Sequence, residues 1–186
     1  MLHRMADEQW QAMIDVHLTG TYRVVQAAFK AMRERAGAER EAGVPPVLRR
    51  IVTVSSMSGF GNLGQANYAA AKLGIAGLSK SIALDMGRFN VRSNCISPFA
   101  WSRMIGTIPI ADEAQRDRIE KLKTMTTAKI APVAVALCAP ESTVTGQIFG
   151  VRNNEIFLMG QSRPIRSVHR SEGWTPETVL NHAIPS

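Results

Sequence analysis

The stretch Ile51-Val52-Thr53-Val54-Ser55-Ser56, followed by Gly59-Phe60-Gly61-Asn62-Leu63-Gly64 and then by Tyr68-Ala69-Ala70-Ala71-Lys72, decides how the rest of the chain is read. The short β-branched run predicts a buried strand over 51–55. The glycines that follow predict a loop over 58–65. From Tyr68 to Phe89 the chain is rich in Ala, Leu and Ile and predicts one long helix. Asn90 to Ser97 then gives a second strand, closed by Pro98. A buried strand, a glycine loop, a long helix and a second buried strand form one βαβ unit.

The flanking segments fit the same scheme. Trp10, Met13, Ile14, His17, Leu18, Val24, Val25, Ala28 and Met32 recur at three- and four-residue steps and predict an amphipathic helix over 6–34. Asp7 and Glu8 suit its first turn. Residues 35–47 read as a polar surface loop, 111–124 as a charged helix, 132–139 as a short apolar helix and 147–151 as a third strand. The tail from Gly160 is polar, with a helical turn at Pro176–Leu180, and 159–186 reads as an extension of one domain spanning 1–186. Helices alternating with short buried strands argue for an α/β fold around a mainly parallel sheet. The strand at 51–55 has no earlier strand to pair with. It should leave unpaired backbone groups and an uncovered apolar face at a sheet edge, so a marginally stable monomer and self-association are expected.

Composition narrows the function. The chain has 186 residues, 45% hydrophobic and 20% charged, which suits one globular domain and excludes disorder. The net charge is +7, but the basic residues are scattered and not interleaved with aromatics, so no nucleic-acid partner is expected. The longest apolar run, Ile130 to Ala139, is too short to span a membrane. The first twenty residues carry no secretory pattern, and two cysteines cannot form a disulfide framework. A reduced, cytoplasmic protein is expected. No set of metal ligands is read from the sequence.

Two motifs compete for the chemistry. Gly59 to Gly64 matches G-x-G-x-x-G, with Asp85 following 21 residues after Gly64. A dinucleotide fingerprint needs that acidic residue at the end of the next strand, on the ribose. Here Asp85 falls inside the helix that follows the loop, so the match is rejected. Tyr68 and Lys72 are the sharper signal. Four residues apart on a helix, they share one face. A phenol is a poor base at neutral pH, and a nearby lysine cation favours its ionised form. Such a pair can exchange a proton with an alcohol or a ketone. Ser55 or Ser56, at the preceding strand end, could hydrogen-bond the substrate oxygen.

These segments, together with Asn90-Val91-Arg92-Ser93-Asn94-Cys95-Ile96-Ser97-Pro98 and Val144-Thr145-Gly146-Gln147-Ile148, resemble the short-chain dehydrogenase/reductases over nearly the whole chain. Val16-His17-Leu18-Thr19-Gly20 and the run from Pro98 to Met104 most resemble the (3R)-hydroxyacyl-CoA dehydrogenase domains of multifunctional β-oxidation proteins. The resemblance implies the C-terminal half of a Rossmann-like, doubly wound parallel sheet. It implies hydride transfer between NAD or NADP and a secondary alcohol or ketone, such as a 3-hydroxyacyl or 3-oxoacyl thioester. Tyr68 would be the general acid/base. Lys72 would assist it and hold the nicotinamide ribose, Ser56 would polarise the substrate oxygen, and Pro98 and Ser102 would lie along the nicotinamide. The loop before Tyr68 is one residue shorter than the family's usual spacing, which keeps Ser55 open.

Two departures stand out. The family's usual helix asparagine is His17 here, which could relay protons. The family's glycine-rich phosphate loop and its Asn-Asn-Ala-Gly strand end have no counterpart, so the pyrophosphate-binding half is expected to be missing. The helices over 6–34 and 68–89, with Ala69, Ala70, Ile75, Ala76 and Leu78, imply a homodimer or homotetramer by the same resemblance. The competing expectation is a catalytically silent remnant serving as an oligomerisation or regulatory subunit.

Overall fold

The computed structural model describes residues 2–102, 112–160 and 162–184. Helical chain runs from α1 (Asp7–Met13) through a wider π-helical segment (Ile14–Thr19) into α2 (Gly20–Glu41). The first turn is closed by Gln9, whose side-chain oxygen accepts the Ala6 amide at 3.1 Å. Then come β1 (Arg49–Val54), α3 (Ala66–Met86), β2 (Val91–Phe99), α4 (Glu113–Lys123), α5 (Ala131–Cys138), β3 (Ile148–Arg152), β4 (Glu155–Leu158) and the short α6 (Pro176–Thr178). The sheet order is β1-β2-β3-β4. The first two pairings are parallel and the third antiparallel. The expected α/β architecture with a mainly parallel sheet is what the chain adopts, and β1 lies at its edge with Val54 53% exposed.

Helices cover both faces of the sheet. On one face, Val25 of α2 and Ile82 and Met86 of α3 pack with Ile51 and Val91, while Ile75 and Ala76 pack on Cys95. On the other face, Val133 and Leu137 of α5 pack on Ile96 and Val151. Burying each such side chain contributes about 1.5–3 kcal/mol. Ile75 and Ala76 are thus committed to the sheet, whereas Val24 and Leu84 remain exposed. Asn94 joins the sheet to the segment before β3, donating to the Val144 carbonyl at 2.8 Å and accepting the Gln147 amide at 3.1 Å.

Three details differ from the sequence reading. Helix α2 continues to Glu41, through the segment expected to be a loop. Ala36 is fully buried, Glu39 pairs with Arg49 at 2.5 Å, and Arg40 donates to the Arg88 carbonyl. These contacts outweigh the cost of about 1 kcal/mol for Gly37 in a helix. Pro98 lies inside β2, opposite Val151. Backbone groups alternate between neighbours along a strand, and Ile96 accepts from Ser55 on the β1 side. Pro98 therefore faces the same side, beyond the last β1 pairing at Val54, where its missing N–H breaks no ladder bond. Finally, β4 was not anticipated. It returns through Asn153 and Asn154, with Asn153 at φ 54°.

The turn Met57–Phe60 after β1 lies directly on α3. A Cβ on Gly59 would sit 3.1 Å from the Leu73 nitrogen and 3.3 Å from the Lys72 carbonyl carbon. The Gly59→Ala variant should lose about 1–3 kcal/mol in urea unfolding, because backbone rather than a pliable side chain must move. Gly77, on the same helix system with nothing within 4 Å of a Cβ, is the control. Gly77→Ala should gain about 0.5–1 kcal/mol.

Candidate functional site

The carboxyl ends of parallel strands, where helices begin, are where α/β sheets place their sites. Here β1 ends at Val54 and runs straight into Ser55 and Ser56. Side chains alternate along a strand, so Ile51, Thr53 and Ser55 share the face turned to α3. All three are buried.

Ser55 and Ser56 have different tasks. The Ser55 hydroxyl donates to the Lys72 carbonyl at 2.6 Å, so its proton is engaged in seating α3. The Ser56 hydroxyl oxygen accepts the Ser58 amide at 3.1 Å and caps the following turn. That contact uses an acceptor lone pair and leaves the hydroxyl proton available. Ser56 is also only partly buried.

Tyr68 and Lys72 lie one turn apart on α3, with the ammonium 5.7 Å from the centre of the phenol ring. Lys72 Nζ donates to the Val54 carbonyl at 3.3 Å. Burial pulls its pKa below the usual lysine value. His17, on the π-helical segment, meets the Tyr68 ring edge-on, with ring centres 5.2 Å apart and planes at 86°. Leu18 packs into the space left by Gly74 of α3, where a Cβ would lie 3.1 Å from its methyl groups. The missing side chain at Gly74 is what lets the π-helical turn come this close. Burial, and after it the Lys72 charge, holds the His17 imidazole below its ordinary pKa and favours its neutral form. Beneath the pair, burial pushes the Cys95 thiol up. It is an inert core group.

The structure thus brings together His17, Tyr68 and Lys72 beside the end of β1, with Ser56 two residues beyond that end. Pro98 sits at the carboxyl end of β2, half-buried. Ser102 lies beyond that strand and is exposed, and among the described residues no hydrogen bond joins it to Tyr68 or Lys72. Arg103 and Met104 lie outside the described residues. The G-x-G-x-x-G look-alike is placed as the sequence suggested: α3 runs unbroken past Asp85. Asn67, which sequence reading passed over, is buried at the foot of α3 and bonded to α1. Its position directly before Tyr68 was the only available signal.

Lys72 Nζ carries three N–H groups, of which the Val54 carbonyl takes one. The remaining two suit the vicinal hydroxyls of a ribose. By donor chemistry, Lys72 fits a vicinal diol such as that of a cofactor ribose. No helix among the described residues is long and apolar enough to cross a membrane.

Comparison with known proteins follows the same lines. A family model described as enoyl-(acyl carrier protein) reductase matches residues 1–152. Peroxisomal multifunctional enzyme type 2 of Mus musculus is 34% identical over 182 residues, covering 96% of this chain and 22% of that enzyme. The hydroxyacyl-CoA dehydrogenase ChsB1 of Mycobacterium tuberculosis is 35% identical over 161 residues, covering 86% of this chain and 49% of that one. A crystal structure of a short chain dehydrogenase from Mycobacterium avium superposes with a TM-score of 0.78 at 29% identity, covering 100% of this chain and 59% of the other. The chain spans about half the length, or less, of these curated relatives.

The His17 environment has a consequence for stability. Its folded pKa lies below the unfolded value of about 6.5, so the unfolded chain binds the proton more readily. Stability is then fully present above that value and falls as pH drops below it. Chemical unfolding at several pH values between 7.5 and 5 should show this decline, and His17→Gln should flatten it.

Proposed function

The chain belongs to the short-chain dehydrogenase/reductase family, and from that premise we propose that it interconverts a secondary alcohol and a ketone by hydride transfer with NAD or NADP. The substrate class proposed is a 3-hydroxyacyl or 3-oxoacyl thioester. It is supported by hydroxyacyl-CoA dehydrogenase ChsB1 and by the 3-oxoacyl-[acyl-carrier-protein] reductase FabG of Chlamydia muridarum among the relatives, the latter 35% identical over 158 residues. The single observation that carries the reading is the grouping of Tyr68, Lys72 and His17 at the carboxyl end of β1.

In the oxidative direction the roles divide as follows. The nicotinamide, when bound, supplies the hydride acceptor. Ser56 donates a hydrogen bond to the substrate oxygen and fixes its orientation. Tyr68 takes the hydroxyl proton as the carbon–hydrogen bond breaks. Lys72 sets its ammonium beside the phenol ring and would hold the ribose hydroxyls. His17, neutral and edge-on to the phenol ring, accepts the proton for release to solvent. Pro98 and Ser102 would border the nicotinamide. Ser55 holds α3 in place and takes no part in proton transfer. In the reductive direction each proton step reverses. We further propose a cytoplasmic homodimer or homotetramer, to which the exposed Val24 and Leu84 of α2 and α3 lend support. The competing reading is a catalytically silent oligomerisation or regulatory subunit.

Fluorescence titration of the chain with NADH and NADPH, alongside turnover of a 3-hydroxyacyl-CoA, separates the two. Saturable binding of one cofactor, abolished in Lys72→Ala, is expected. Tyr68→Phe should retain binding and lose about 100- to 10,000-fold in kcat. Binding of neither cofactor, or full turnover by Tyr68→Phe, contradicts the dehydrogenase reading.

A further inference from the structure

Helix α3 begins without the usual side-chain cap. Its N-cap is Gln65, which makes no capping hydrogen bond. The first-turn amides of a helix need partners from elsewhere. Asn67 supplies one: its Oδ1 accepts the Tyr68 amide at 2.8 Å. Its other end leaves the helix altogether, and Nδ2 donates to the Gln9 carbonyl of α1 at 3.1 Å. One buried carboxamide, 8% exposed, therefore grips the backbone of Tyr68 with one atom and the helix that leads to His17 with the other.

The surroundings give this bridge its weight. Beside it lies an open surface groove of about 570 Å³ lined by Arg4, Met5, Gln9, Met13, Gly64 and Asn67. The Asn67–Gln9 bond ties α1 to α3 beside that groove. Further along both helices, Leu18 packs against Gly74. His17 and Tyr68 lie between those two fixed points.

We propose that Asn67 is the positioning residue that holds Tyr68 edge-on to His17, and so sets the path by which the phenol exchanges its proton. The catalytic part of this inference rests on the dehydrogenase reading; the tether does not. A shift of about 1 Å at a reacting group can cost 100-fold in rate, which is the scale on which such a tether acts.

The test separates capping from tethering. Asn67→Asp keeps an oxygen for the Tyr68 amide but replaces the donor toward Gln9 with a second acceptor. The chain has two tyrosines, so a Tyr22→Phe background leaves Tyr68 as the sole phenol. In that background, nuclear Overhauser contacts between the Tyr68 and His17 rings report the geometry. Turnover of a 3-hydroxyacyl-CoA with NAD or NADP reports the consequence. We expect Asn67→Asp to keep its melting temperature within a few degrees, lose the ring contact, and drop kcat by about 10- to 100-fold with KM within about twofold. Asn67→Ser, too short to reach Gln9, should show the same two changes if the first variant is poorly folded. An intact ring contact in both variants overturns the proposal. A lost contact with unchanged kcat overturns the positioning role. A parent chain without turnover would refute the dehydrogenase reading, while the ring contact would still decide the tether.

Discussion

Lys72 is held from both ends by the end of β1. Its carbonyl takes the Ser55 hydroxyl at 2.6 Å, and its ammonium donates to the Val54 carbonyl at 3.3 Å. Between them, Gly59 brings the following turn against the Lys72 and Leu73 backbone, as closely as a residue without a side chain allows. A lysine on an exposed helix face samples many rotamers, and fixing one costs up to about 2 kcal/mol of side-chain entropy. Here that cost is offset by the contacts that dock α3 on the sheet. The strand end that seats the helix also aims the cation, so fold and site share the same atoms.

The second helix completes the arrangement from outside the sheet. The segment Ile14–Thr19 runs as a π-helical turn within an otherwise regular helix, and such wide turns are frequent at functional positions. In this molecule the turn carries His17 to the phenol, with Leu18 seated against Gly74. Burial and the Lys72 charge both oppose protonation of the imidazole. A neutral imidazole retains a nitrogen lone pair, which a proton relay requires. The electrostatics and the packing favour the same species.

Much of this was legible in the sequence, for identifiable reasons. The β-branched run at 51–54 and the alanine-rich stretch after Tyr68 are strong local signals, and helix periodicity alone puts Tyr68 and Lys72 on one face. The choice between Ser55 and Ser56 was not legible from residue type, because both are serines at a strand end. Alternation along β1 gives them different surroundings: Ser55 continues the buried row of Ile51 and Thr53, and Ser56 does not. The helical course through Gly37 was hidden because it depends on distant contacts, Arg49 with Glu39 and Arg88 with Arg40. The π-helical turn has no residue signature, and β4 follows a pair of asparagines, a weak turn signal.

If Lys72 acts through Tyr68, the two residues form one unit and cannot be removed twice. Turnover of a 3-hydroxyacyl-CoA with the preferred cofactor, measured for Tyr68→Phe, Lys72→Met and the double variant, tests that directly. Groups that work together show strong non-additivity in kcat. The double variant should be no slower than the slower single variant, within about threefold. Losses that multiply would mean that the phenol and the ammonium act independently, and the account of the site would fail.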